Sequence, residues 1–227
     1  MDELYKNMVK VSPKEQVHFK CNGCGACCKN VRQQVPLETL DVFRIAKHLQ
    51  SHGEPIQCMD DVLETYTEPV LLDECGYFVY FLKTVGSDDA CIFLDENNRC
   101  KIHSVNPRAC RTYPFVASPT DDGEFETMVS VERKFHFNGP IVHPKTWMKK
   151  RFTQEDKEFL RLDLGPAKEI AHLLRKLPKE KLVRALVCFQ RLKYGDYELD
   201  MPFLPQYERN TQLLLEWLRE EANESCQ

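Results

Sequence analysis

The spacing of apolar and polar positions changes character several times along the 227 residues. Residues 1–18 are polar, carry Pro13 and show no clear period, so they read as a lead-in. From Pro36, the run PLETLDVFRIAKHLQSHG places Leu37, Leu40, Phe43, Ala46 or Lys47, and Leu49 at roughly helical spacing, and Gly53 supplies a stop. This predicts an amphipathic helix. A weaker pattern suggests a short helix around Asp60 to Glu64. The period then shortens: Tyr77 to Val85 is rich in aromatic and β-branched residues, which favours a strand. CIFL, DENN and RCKI together predict a β-hairpin with Cys91 on one arm and Cys100 on the other. Asn106 and Pro107 mark a turn or helix start. Phe125, Thr127, Val129 and Val131 alternate with Glu126, Ser130 and Glu132, predicting one or two more strands. Beyond Pro144 the chain is helical in pattern, with Pro166, Pro178 and Pro205 expected to separate helices, each in a first turn.

The predicted fold class is α+β. A small mixed cysteine-rich unit with a β-hairpin is expected over residues 1–143, followed by a C-terminal group of α-helices over 144–227. No Gly/Ser-rich linker divides the two, so the helices pack either on the same core or as a separate module.

Composition narrows the function classes. Hydrophobic residues make up 42% and charged residues 29%, which is ordinary for a globular protein. A formal net charge of −4 and a pI near 6.0 give no basic surface for nucleic acid or anionic membrane, so neither is expected as a partner. No apolar run resembles a signal peptide or a membrane span, and a cytoplasmic location is expected. In a reducing compartment, eleven cysteines read as metal ligands or redox groups rather than as a disulfide framework.

Four of those cysteines, Cys21, Cys24, Cys27 and Cys28, fall in CNGCGACC. CxxC puts two sulfurs on one tight turn, which suits a tetrahedral ion or an iron–sulfur cube. Cys21, Cys24 and Cys27 repeat that step and need a distant fourth ligand, for which Cys110 in RACRTYPF is the leading candidate. Gly23 and Gly25 let the backbone turn tightly between the sulfurs. Cys28, adjacent to Cys27, is expected to point elsewhere, towards Cys91 and Cys100. The seven sulfurs suffice for one 4Fe–4S cluster with spare thiols, or for two metals. The CxxCxxC run favours the iron–sulfur cluster, with zinc as the alternative. His103 reads as a surface or capping histidine, and Cys58, Cys75, Cys188 and Cys226 as core or exposed thiols. Arg108 and Arg111, flanking Cys110, read equally as cations serving the thiolates or as surface ion pairs.

CNGCGACC, the helix PLETLDVFRIAKHL and the composite CIFLDENNRCKIHSVNPRACRTYPF together resemble the YkgJ-like family of CxxCxxCC zinc- or iron-chelating domains, over the first half to two-thirds of the chain. The resemblance implies metal or iron–sulfur binding. It extends distantly to a flagellin lysine N-methylase that uses a methyl donor with an iron–sulfur cluster. Two departures stand out: His103 occupies a position usually held by tyrosine, and the family's Arg-Pro dipeptide is replaced by Asn106, Pro107 and Arg108.

The expected function is therefore metal binding through clustered cysteines in a structural or electron-transfer role. Alternatives are a protein lysine methyltransferase-like enzyme, or a factor that hands metal on. A protein substrate or redox partner is expected in these cases. No GxSxG, HExxH, P-loop or EF-hand pattern is present, no glycine-rich loop for adenosylmethionine is found, and no catalytic residue is identified.

Overall fold

The computed structural model describes residues 8–72, 74–119, 125–130 and 136–224. Cys226, Val131 and Glu132 lie outside the described residues. Small antiparallel sheets combine with helices, and the C-terminal part is helical, an α+β fold. The chain groups into two compact units, each made of two separate stretches. Residues 1–35 and 84–153 form the first, here the thiol unit; residues 36–83 and 154–227 form the second, here the helical unit.

The thiol unit is built on short antiparallel pairings. β1 (Met8–Lys10) pairs with β9 (Phe125–Ser130), which pairs in turn with β8 (Phe115–Pro119). β2 (Val17–His18) pairs with β10 (Ile141–Val142), and β6 (Thr84–Val85) with β7 (Ala90–Cys91). The apolar side of β9 shows in Val129, which is buried opposite Phe115. Two short helices, α3 (Arg108–Thr112) and α4 (Pro144–Arg151), complete it, the latter opened by Pro144 at its first position.

The expected hairpin around residues 95–98 contracts to less than two strands. Cys91 pairs with Thr84 in the β6–β7 ladder, Leu94 N–H donates back to the Cys91 carbonyl, and a single bridge joins Leu94 to Cys100. The cause is local. The Asp95 carboxylate accepts the N–H groups of Asn97 at 2.8 Å and Arg99 at 2.7 Å, curling the chain into a tight loop instead of two extended arms.

In the helical unit, α1 (Thr39–Ser51) opens with a capping box between Glu38 and Asp41 and buries Leu40, Val42, Phe43, Ile45, Ala46 and Leu49. α2 (Met59–Tyr66) is capped by Asp61, which accepts the N–H of Gln57 at 2.7 Å and of Cys58 at 3.0 Å. A sheet in the order β3 (Pro36–Leu37), β5 (Phe78–Leu82), β4 (Thr67–Leu71) belongs to the same unit. α5 (Gln154–Lys176), α6 (Lys179–Gln190) and α7 (Phe203–Glu224) follow, with a π-helical turn over Arg191–Gly195. Pro178 caps α6 and Pro205 sits in the first turn of α7, as expected. Pro166 does not separate two helices; it lies inside α5. Phe159 and Leu160 on one side of it, and Ile170, Leu173 and Leu174 on the other, are all buried. Packing on both sides therefore holds the helix continuous across the lost N–H. Among the described residues, no helix is long and apolar enough to cross a membrane.

Candidate metal centre

Phe19 begins the site. It is 3% exposed, and edge-on rings surround it: Tyr113 at 5.7 Å, Trp147 at 5.3 Å, and His136 and Phe137 at 6.1 Å. Backbone bonds fix the same point, with Phe19 N–H donating to the Pro140 carbonyl and Lys20 N–H to the His136 carbonyl, both at 3.1 Å. Gly139 is needed beside this crossing, because a Cβ there would stand 2.6 Å from the Phe19 carbonyl carbon. Cys21 thus leaves an anchored strand rather than a loose terminus.

From there the chain turns at Gly23 and Gly25, with φ of 62° and 68°, into a single 3₁₀ turn over Ala26–Cys28, closed by Cys28 N–H donating to the Gly25 carbonyl at 2.9 Å. Gly25 also abuts Asn98 at the tip of the 91–100 loop, where an added Cβ would come within 2.9 Å of the Asn98 Cβ. Beyond the turn, Asn30 and Val31 donate their N–H groups to the carbonyls of Asp88 and Asp89, at 2.7 and 3.1 Å. Gly25, Asn30 and Val31 thereby dock the cysteine run along the segment that leads into Cys91. Cys110 arrives on α3, whose Arg111 guanidinium donates to the carbonyls of Asn106 and Arg151. Arg108 lies over the Phe152 ring at 5.7 Å.

The sulfurs fall into two groups. Cys27 and Cys28 Sγ stand 3.9 Å apart. The contact with Cys27, then burial, then the charges of Cys27, Cys110 and Cys91 all push the Cys28 thiol far above its ordinary pKa. Burial pushes Cys91 up to about 11, and Cys100 and Cys27 add to it. Cys100 is raised as well, by burial first and then by Cys27 and Asp95. Cys91, Cys100 and Cys110, from two further segments, thus each lie within electrostatic reach of Cys27 or Cys28. Cys21 and Cys24 have neighbours of another kind. Cys24 Sγ is 3.4 Å from Nε2 of His136, and Cys21 lies within electrostatic reach of Arg151, whose guanidinium stacks on Trp147 at 3.4 Å.

His103 is exposed. Cys58 caps α2, Cys75 is buried and Cys188 is half-buried on α6, all three in the helical unit. Sequence reasoning missed His136, which is 3% exposed; no spacing ties it to the cysteine run 108–115 positions earlier.

Sulfur-rich, partly exposed and drawn from separate loops, this donor set has the chemistry that zinc and iron prefer. The CxxCxxCC family model, described as "Putative zinc- or iron-chelating domain", matches residues 20–135. The chain belongs to the CxxCxxCC family. The matched stretch contains all seven cysteines of the two groups and stops one residue before His136. No solved structure matches this CxxCxxCC chain. Among its described residues, no three Cys, His, Asp or Glu side chains converge on a single point. Two pairs do approach, Cys27 with Cys28 and Cys24 with His136. Two thiolates on one tetrahedral ion, each about 2.3 Å from it, stand about 3.8 Å apart. The 3.9 Å between Cys27 and Cys28 fits that span.

Proposed function

We propose that the thiol unit holds a zinc or iron centre through Cys27, Cys28, Cys91, Cys100 and Cys110, and that the centre's main task is structural. The observation that carries this reading is the Cys27–Cys28 Sγ pair at 3.9 Å, docked by the backbone bonds of Asn30 and Val31 along the segment that leads into Cys91, with thiols from three segments within electrostatic reach of one another. Residues 21–35 and 92–107 contain only isolated turns, a 3₁₀ turn at each end of the region and one bridge. Bound metal would replace thiol protons and join the three segments through one point, so that binding free energy becomes folding free energy. Completing four ligands from this set requires rotation of small side chains, and Cys27 is exposed and able to turn.

The spacing of Cys27 and Cys28 favours a single ion for that pair, since thiolates on separate corners of a cube stand farther apart. A 4Fe–4S cluster remains the second reading. It is favoured by the CxxCxxC spacing of Cys21, Cys24 and Cys27 and by Cys110 as remote ligand, an arrangement bacterial ferredoxins use. Anaerobic purification followed by iron, zinc and acid-labile sulfide analysis separates the two. Stoichiometric zinc, or iron without sulfide, is expected; one cubane's worth of sulfide per chain would overturn the single-ion reading. Cys91→Ser should lower metal content severely, and full retention of metal by that variant and by Cys110→Ser would remove the five-thiol site altogether.

A further inference from the structure

Cys24 and His136 make a sulfur–nitrogen pair that the cysteine pattern does not include. We propose that His136 is a metal ligand, forming with Cys24 a mixed sulfur–nitrogen site for a second zinc or iron ion, with Tyr113 positioning the imidazole. The proposal rests on the metal-binding reading above and extends it to a donor that the cysteine pattern does not contain.

Three observations carry it. A thiolate and an imidazole nitrogen on one tetrahedral ion, at about 2.3 and 2.0–2.1 Å from it, stand about 3.5 Å apart; Cys24 Sγ and His136 Nε2 are 3.4 Å apart. The other ring nitrogen is held: Nδ1 of His136 lies 3.1 Å from the Tyr113 hydroxyl. A ligating histidine ordinarily has a hydrogen-bonded outer partner on its second nitrogen, and this contact leaves Nε2 as the nitrogen that faces Cys24. Finally, the ring cannot drift. It is 3% exposed, sits edge-on to Phe19 and Tyr113, and its own carbonyl accepts the N–H of Lys20, the residue before Cys21. A rigid nitrogen donor thus faces an exposed and rotatable sulfur, and CxxC spacing offers the exposed Cys21 as the next donor from the same turn.

A structural thiol–imidazole hydrogen bond would give the same distance, so the test must read coordination directly. The full chain, purified anaerobically and stripped of metal, is titrated with cobalt(II), following thiolate-to-cobalt charge transfer and the ligand-field bands. Two equivalents are expected for the wild type. Cys24→Ser, a change at an exposed side chain, and His136→Gln should each abolish one equivalent and leave the other, whereas Cys91→Ser should abolish the complementary one. Tyr113→Phe keeps the ring packing and should retain both equivalents, with 10–100-fold weaker binding at the first. Titrations of Cys24→Ser and His136→Gln that superimpose on the wild type would overturn the proposal while leaving the five-thiol site intact. A single cobalt lost alike in His136→Gln and Cys91→Ser would overturn the separate second site. No cobalt uptake by the wild type would remove both this site and the metal-binding reading beneath it.

Discussion

The two units of this chain solve the same problem of cohesion with different materials. In the helical unit the core is made of large rings and aliphatic chains. Of the largest fully buried side chains among the described residues, Tyr194, Tyr207, Phe159, Phe189, Leu40, Ile45, Met59, Leu174, Leu214 and Leu218 lie there, against Phe115 and Ile102 in the thiol unit. Its helices are 8 to 23 residues long, and their apolar faces supply the burial that stabilises a domain. Among its described residues the thiol unit has strands of two to six residues and an aromatic hub at Phe19. Around its cysteines it gathers groups that repel one another when ionised. One unit is held by packed apolar side chains; the other has short strands and a concentration of thiols.

The sharpest way to break that comparison is to withdraw metal. Treating the anaerobically purified chain with a strong chelator should release protection in the thiol unit and spare the helical one. Structural zinc sites contribute about 10–16 kcal/mol in small peptides, more than the whole stability of most domains. Hydrogen exchange read by mass spectrometry should therefore rise over residues 19–35 and 88–112 while α5 and α7 keep their protection. Equal loss in both units would mean that the difference in core does not translate into independent stability, and no loss in either would mean that Phe19 and its neighbours suffice.

Most of the helical unit was legible in the sequence because its information is periodic. Leu37 to Leu49 announce α1, and Pro178 marks the start of α6. Pro166 was misleading because a local rule about proline met a buried face running past it on both sides. The thiol unit divides differently. CNGCGACC is visible because ligand spacing is local, but its partners are set by the backbone turn at Gly25 and by crossings such as Lys20 with His136, which have no counterpart in spacing. Nothing adjacent in sequence joins Phe19, Tyr113, His136 and Trp147. Lys193 was hidden for the same reason, since no spacing ties it to Asp163 or Tyr207.

Lys193 supplies the middle test, in the unit held by packing. Its ammonium is 8% exposed, paired with Asp163 and 3.2 Å from the Tyr207 hydroxyl, within the π-helical turn. Burial alone would lower its pKa, but Asp163 and the neighbouring tyrosines outweigh that and hold it well above the ordinary lysine value. A raised folded pKa means that the stabilisation is fully present below the unfolded value of about 10.4 and is lost as pH rises through the folded one. Tyr207 acts in the same sense: burial first, then Asp163, raise it, so the folded state holds a proton that the unfolded chain releases above about pH 10. Thermal melts followed by helical circular dichroism should thus fall steeply above about pH 10. Lys193→Met should cost about 3–5 kcal/mol at pH 8 by leaving the Asp163 charge without its cation, with the Tyr207 hydroxyl still donating to it, and flatten the alkaline decline. Its metal content should match the wild type. An unchanged alkaline slope in the variant would show that the lysine is not the group responsible.

The smallest expected effect returns to the thiol unit and asks whether its loop geometry matters once metal is present. Gly25 is left-handed, at φ 68°, and touches Asn98, so Gly25→Ala adds backbone strain and a contact at 2.9 Å. Left-handed backbone costs an L-residue about 1–2 kcal/mol. Because Gly25 sets the turn that presents Cys27 and Cys28 to Cys91 and Cys100, that strain should appear in metal binding, at about five- to thirtyfold weaker affinity in a cobalt competition titration. The helical unit should melt unchanged. Gly23, at φ 62°, has no atom within 4 Å of an added Cβ, so Gly23→Ala separates conformation from contact. If the two variants lose affinity equally, the left-handed turn alone positions the sulfurs; if Gly25→Ala is the weaker binder, the approach of Asn98 helps to hold the cysteine run against the 91–100 loop.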